Sequence, residues 1–105
     1  MRRGEVWWAD LGSPVGRRPV ILLSRGETYG LRNQATVAYV TGRIRNIPVE
    51  VPLGPDDGLP QPCVANLDNI NTIRLDRLQE LIAPLGGRKI QAIEAAVRFA
   101  LGLAH

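Results

Sequence analysis

The sequence predicts a mainly β (α+β), barrel-like domain completed by one C-terminal helix. Short runs of strand-forming residues recur at close spacing, separated by turns rich in Gly, Pro and Asp. Apolar residues adopt a helical period only near the end, where Ile90, Ile93, Val97 and Leu101 recur three or four apart. A chain of 105 residues has room for one core, so residues 1–105 are expected to form a single domain.

Taken in order, Glu5 to Asp10 is the first expected strand, carrying Val6, Trp7 and Trp8 and closed by Gly12, Ser13 and Pro14. After a short connection, Val20 to Leu23 is apolar without alternation, the pattern of a strand covered on both faces. Gly26 to Gln34 reads as a polar loop with room for one helical turn. Thr36 to Thr41 is a further strand, ending in a basic turn, Gly42 to Asn46. Ile47, Val49, Val51 and Leu53 then alternate with Pro48, Glu50 and Pro52, which predicts an edge strand with one wet face. Gly54 to Pro62 is a surface loop by composition. Cys63 to Leu67 and Ile70 to Ile73 are expected as two short strands separated by Asp68 and Asn69. A charged turn with Leu75 and Leu78 and an apolar patch of Leu81, Ile82 and Leu85 precede the helix. That helix is expected from Arg88, with Gly86 and Gly87 before it and Gly102 as its stop.

Composition narrows the chemistry. Cys63 is the only cysteine, which excludes an internal disulfide and a thiolate metal cluster. The only histidine is His105, the last residue, so neither a histidine base nor a zinc site is expected inside the fold. No metal or other cofactor is expected. The net charge is +3, and Lys89 is the one lysine among 13 basic residues. An arginine-rich, basic chain suits an anionic partner such as nucleic acid or an acidic peptide, although a high-GC genome also favours arginine codons. No window resembles a membrane span, and Met1 to Glu5 leads into no apolar signal segment; a cytoplasmic protein is expected.

The most informative residues are Arg17, Arg18 and Pro19, which lead into the apolar strand. Proline fixes its own backbone and extends the residue before it, so Arg18 is held at a defined place where loop meets core. Its planar guanidinium stays charged and matches phosphate geometry. The same pair also reads as surface arginines that keep a strand end solvated, and spacing alone does not separate the two.

Beyond composition, an ordered set of residues resembles a known family. Arg3, Gly4, Glu5, Val6 and Trp7 come first, followed by Ala9, Asp10 and Leu11, and then Arg18, Pro19 and Val20 at a strand and Thr41 at the end of the next long strand. Gly58 and Leu59, the run Cys63, Val64, Asn66, Leu67, Asp68, Asn69 and Ile70, then Thr72, Ile73, Arg77 and Leu78, and the closing helix through Leu103 complete the set. Over nearly its whole length the chain is similar to the MazF/PemK toxins of type II toxin–antitoxin systems.

The resemblance implies an SH3-like barrel acting as a homodimer. It also implies metal-independent cleavage of single-stranded RNA, usually mRNA, at short sequence motifs, and inhibition by a cognate acidic antitoxin. By family position Arg18 and Thr41 are catalytic. Asp68 matches a position that is acidic and catalytic in some relatives, and it reads equally well as a turn residue. Arg17, Arg43 and Arg45 are expected to hold RNA phosphates and Asn69 to meet a base edge. Trp7 and Trp8 point to opposite faces of one strand, so at most one can stack on a base; Tyr39 reads as core.

Two departures stand out: the segment before Arg18 is shorter than in many relatives and lacks their glutamate, and Cys63 replaces a common serine. The rival readings are a CcdB-like gyrase poison and a catalytically inactive RNA-binding relative. The gyrase poisons share the barrel but use a C-terminal tryptophan, whereas this chain ends Leu103, Ala104, His105 and carries both tryptophans near its start.

Overall fold

A computed structural model describes residues 1–26 and 33–103. Six antiparallel strands, β1 (Glu5–Asp10), β2 (Arg17–Leu22), β3 (Gln34–Thr41), β4 (Glu50–Leu53), β5 (Cys63–Arg74) and β6 (Leu78–Pro84), precede the helix α1 (Gly87–Leu101). They form one curled sheet in the order β4-β5-β3-β2-β1-β6. Residues 27–32, within the loop expected between Gly26 and Gln34, lie outside the described residues, as do residues 104 and 105.

The central strands of the sheet are buried on both faces. On one side Val6, Ile21, Ala38, Val51, Ala65 and Leu67 pack against Ile93 and Ala96 of α1. On the other, Ala9, Val20, Leu22, Ala35 and Val37 gather under Trp7, Leu11, Tyr39 and Ile73 as the sheet curls over itself. The unalternating Val20, Ile21 and Leu22 therefore contribute to both clusters, as a doubly covered strand must.

Three expectations need correction. The segments around Asp68 and Asn69 form one strand, β5, interrupted by a bulge: Ala38 pairs with Ile70, yet the next β3 residue, Tyr39, pairs with Asn66. Leu67 turns into the core while Asp68 and Asn69 remain outside. A polar pair that reads as a strand break is thus absorbed by extra residues on one side of a ladder. Second, the turn and patch at 75–85 contain a strand, β6, on the free edge of β1. Gln79, Glu80 and Leu81 are all exposed, so this strand carries no period-two signal. Third, β4 is the edge strand expected, but its supposed wet face holds a buried carboxylate, Glu50, at 8% exposure. The helix ends as expected, with Gly102 in the left-handed region donating its N–H to Arg98 and Phe99 carbonyls. Its last apolar residue, Leu101, faces outward at 60% exposure.

Gly4 joins three parts of the core. Its N–H donates to the Leu22 carbonyl and its carbonyl accepts from Leu85. At φ +90°, a Cβ here would stand 2.7 Å from Ile90 of the helix. Gly4→Ala is expected to cost about 2–4 kcal/mol in urea unfolding, from the left-handed backbone and the overlap together. Gly87→Ala, with nothing within 4 Å, should leave the midpoint unchanged or slightly raised.

Candidate active site

Alternate residues of β2 address alternate neighbours. The Leu23 N–H, just beyond β2, donates to Thr36 at the β3 side, whereas the Leu22 carbonyl accepts from Gly4 on the other. By this alternation residue 19 faces β3, and residue 19 is a proline with no N–H to offer. The β2–β3 ladder accordingly runs Leu22↔Val37, Ile21↔Ala38, Val20↔Tyr39 and goes no further. On the β1 side pairing continues through Pro19, Arg18 and Arg17. Pro19 therefore lets the two strands part while β1 still fixes the backbone of Arg18.

Arg18 lies on the same face as Val20, and Thr41 on the same face as Tyr39. The register continued past Val20↔Tyr39 sets Arg18 opposite Thr41. Both line one cleft of about 210 Å³, together with Tyr39, Arg43, Arg45, Asn66 and Asn69. Three guanidinium groups border it, and none of its described lining residues is acidic.

Arg18 Nε is buried and has no hydrogen-bond acceptor among the described residues. A buried donor left unpaired costs on the order of 1–3 kcal/mol, more when charged, and an anion's oxygen removes that cost. Thr41 Oγ1 accepts the Arg43 N–H at 3.2 Å, which leaves the hydroxyl proton to donate elsewhere. Asn66 Oδ1 accepts from the Asp68 N–H at 3.0 Å, and Asn69 Oδ1 accepts from the Asn71 amide at 2.8 Å. The amide N–H groups of Asn66 and Asn69 are then the donors these side chains have to spare.

Beneath the loop from Gly42 to Asn46 lies Glu50. Its Oε1 accepts the backbone N–H groups of Arg45 at 2.9 Å and Asn46 at 3.0 Å, and its Oε2 accepts Arg45 Nε at 3.1 Å. Asn46 takes the left-handed conformation, φ 57°, that this turn requires. Burial pushes the Glu50 carboxyl up, but the donors from Arg45 and Asn46 outweigh it and leave its pKa below the ordinary value.

Of the residues expected from sequence, Arg18, Thr41, Arg43, Arg45 and Asn69 come together. Arg17 does not. It stacks 4.2 Å from the centre of the Trp8 ring and donates from Nε to Gln79 at 2.7 Å, because successive strand residues point to opposite faces. Asp68 is exposed on the bulge of β5 and is not among the residues that line the cleft. Trp7 is packed in the second core cluster with its Nε1 donating to Glu5.

Sequence reasoning missed Tyr39, Asn66 and Glu50. Tyr39 was legible, since it lies two residues from Thr41 on one strand. Asn66 was not, because only the bulge after it sets the β5 register. Cys63 is half-buried against the core, where burial first and Asp57 second push its thiol pKa up. That suits a packing residue better than a nucleophile.

Residues 2–101 match the family described as PemK-like, MazF-like toxin of type II toxin–antitoxin system. Among curated relatives, the chain is 35% identical over 100 residues to the probable endoribonuclease MazF5 of Mycobacterium tuberculosis, covering 94% of this chain and 91% of that protein. The solved Mycobacterium tuberculosis toxin MazF-mt6 superposes with a TM-score of 0.89 at 31% identity, covering 96% of this chain and 99% of that one. A mycobacterial endoribonuclease solved with its cognate antitoxin gives a TM-score of 0.89 at 30% identity, covering 100% and 98%.

The electrostatics of Glu50 give a test that concerns folding alone. Because its folded pKa lies below the ordinary 4.5, its contribution is complete above pH 4.5 and is lost as the pH falls through the lower folded value. The stability gap between the native protein and Glu50→Gln, read from urea midpoints, should be full at pH 7 and close progressively below that range.

Proposed function

The chain belongs to the PemK-like, MazF-like toxin family of type II toxin–antitoxin systems, and from this premise we propose that it is the toxin, an endoribonuclease acting on single-stranded RNA. The observation that carries the reading is the buried Nε of Arg18, without an acceptor among the described residues, in a cleft that Thr41 shares and cations wall. A phosphodiester supplies the oxygens that this donor lacks.

In the reaction the ribose 2′-oxygen attacks the adjacent phosphorus as its proton passes to solvent, and the bond to the 5′-oxygen breaks as that oxygen takes a proton from solvent. The products are a 2′,3′-cyclic phosphate and a 5′-hydroxyl. Charge grows on the non-bridging oxygens as phosphorus becomes five-coordinate, and donors already in place stabilise that charge with no reorganisation. Arg18 fills this role and also hydrogen-bonds the departing 5′-oxygen; being always protonated, it is not a base. Thr41 contributes a further hydrogen bond. Arg43 and Arg45 take neighbouring phosphates, while Asn66 and Asn69 present amides to base edges. Asp68 has no part in this scheme, since it lies outside the cleft wall.

The donor set suits catalysis without a metal ion. Hard cations need carboxylate or carbonyl oxygens, and the cleft offers three guanidinium groups. The partners proposed are RNA, a second copy of the chain in a homodimer, and an antitoxin whose acidic segment suits a chain of net charge +3. Among the described residues no helix is long and apolar enough to cross a membrane. The RNA substrate places the work in the cytoplasm.

The deciding experiment incubates the purified protein with bulk RNA in EDTA and maps the new 5′ ends, which should carry hydroxyls and share a short motif. Arg18→Ala and Thr41→Ala should each lower kcat on the order of 10²–10³-fold, the usual effect of removing one transition-state donor, while thermal unfolding stays cooperative. Full activity in both variants would remove the assigned roles. RNA that is bound and left uncut would identify an inactive relative.

A further inference from the structure

The cleft's recognition arginines sit between β3 and β4, and an eight-residue connection does not by itself hold two like charges in place. Thr41 Oγ1 anchors one end of the loop through the Arg43 N–H. The other end rests on Glu50, whose side chain is 2% exposed and whose two oxygens receive three donors, two of them backbone. On an edge strand that follows Pro48 and contains Pro52, both exposed, a glutamate had every opportunity to face water. Among the described residues its carboxylate is compensated by the contacts it makes to the loop.

We propose that Glu50 is a positioning residue for RNA binding: it fixes the loop from Gly42 to Asn46 in the conformation that sets Arg43 and Arg45 on the cleft. The inference rests on the endoribonuclease reading and deepens it, because it assigns the binding half of the site to a residue that need not touch RNA. Its charge makes the idea sharply testable. A carboxylate near a phosphate-binding cleft repels the ligand, so removing its charge should tighten RNA binding if charge alone mattered. If Glu50 acts by holding the arginines, removing it should weaken binding. The two views predict opposite signs.

The experiment uses the whole protein and a 2′-O-methylated copy of an RNA oligonucleotide that the wild-type protein cuts. Glu50→Gln turns an amide N–H₂ or a neutral oxygen toward Arg45 Nε and loosens the clamp. Binding should weaken about tenfold, the scale of one lost charge-assisted hydrogen bond. The slope of log affinity against log salt should fall by about 0.7 for each phosphate contact released. The single-turnover rate at saturating cleavable RNA should stay within about twofold, since Arg18 and Thr41 sit on strands.

In a background carrying Arg43→Ala and Arg45→Ala together, Glu50→Gln should change binding by less than about twofold. A general weakening of the fold would persist there, so a persistent tenfold loss overturns the proposal. Unchanged or tighter binding by a folded Glu50→Gln overturns it as well.

Should Glu50→Gln not fold, Glu50→Asp keeps the charge but is one methylene too short to reach all three donors, and the same losses are expected. The wild-type protein offers an independent reading. The Arg45 and Asn46 amides should be protected from hydrogen exchange at neutral pH, and free exchange at both overturns the proposal. A wild-type protein that neither cuts nor binds RNA defeats the endoribonuclease reading itself. Cutting by the wild type with undiminished binding by the variant defeats this inference alone.

Discussion

The site depends on one missing hydrogen-bond donor. Pro19 lies in a strand with neighbours on both sides, a place where proline is normally excluded because it interrupts a ladder. Here the interruption falls on the β3 side, and the ladder with β3 stops at Val20 while pairing with β1 continues. The outcome is a mouth between two strands whose walls remain rigid. Without Pro19 the ladder has a donor with which to run on, drawing Arg18 and Thr41 together as an ordinary cross-strand pair. With it, space for a phosphodiester opens between two side chains whose backbones are still fixed by other strands. Rigidity and access, usually in conflict, are met by breaking one ladder and keeping the other.

That geometry gathers like charge. Three guanidinium groups around about 210 Å³ repel one another, and a protein can offset such repulsion by adding carboxylates to the wall or by leaving it for a ligand to relieve. The carboxylate of Glu50 lies behind the loop and engages Arg45 from the rear. It lowers the cost of assembling the cluster without covering the face that meets an anion. Arg18 takes the other course, with its Nε buried and unpaired among the described residues. Part of the site's energy is thus released only when phosphate oxygens arrive. A network satisfied within the protein would add stability and leave less to gain from binding.

Much of this was legible in the chain. Strand-forming runs marked β1 and β3, a helical period marked α1, and arginine before proline marked the mouth of β2. What escaped depends on contacts between distant segments. The β5 bulge is visible only through its partner, because three residues between Asn66 and Ile70 have no counterpart between Tyr39 and Ala38. Strand β6 exists because β1 has a free edge, and its own residues are mostly exposed. Glu50 followed the polar beat of its strand, and nothing local announced that Arg45 and Asn46 would fold back over it. Arg17 misled for the opposite reason: adjacency in sequence is opposition on a strand, so the pair could not both serve one cleft.

The division of labour within the cleft has a consequence for how such a site can change. Arg18 and Thr41, which face the reacting phosphorus in the proposed chemistry, are carried by β2 and β3 in the middle of the sheet. Asn66 and Asn69 flank the bulge, and Arg43 and Arg45 ride on the loop held by Glu50. On the proposed reading, a substitution in the bulge or loop alters which donors meet bases and flanking phosphates and leaves the two core strands unmoved. On that reading specificity is separable from reaction chemistry: one is written on irregular backbone that tolerates change, the other on strands buried on both faces. The same separation explains why positioning matters more on the loop than in the sheet. Strand residues inherit their placement from the ladders, and loop residues need a dedicated anchor such as Glu50.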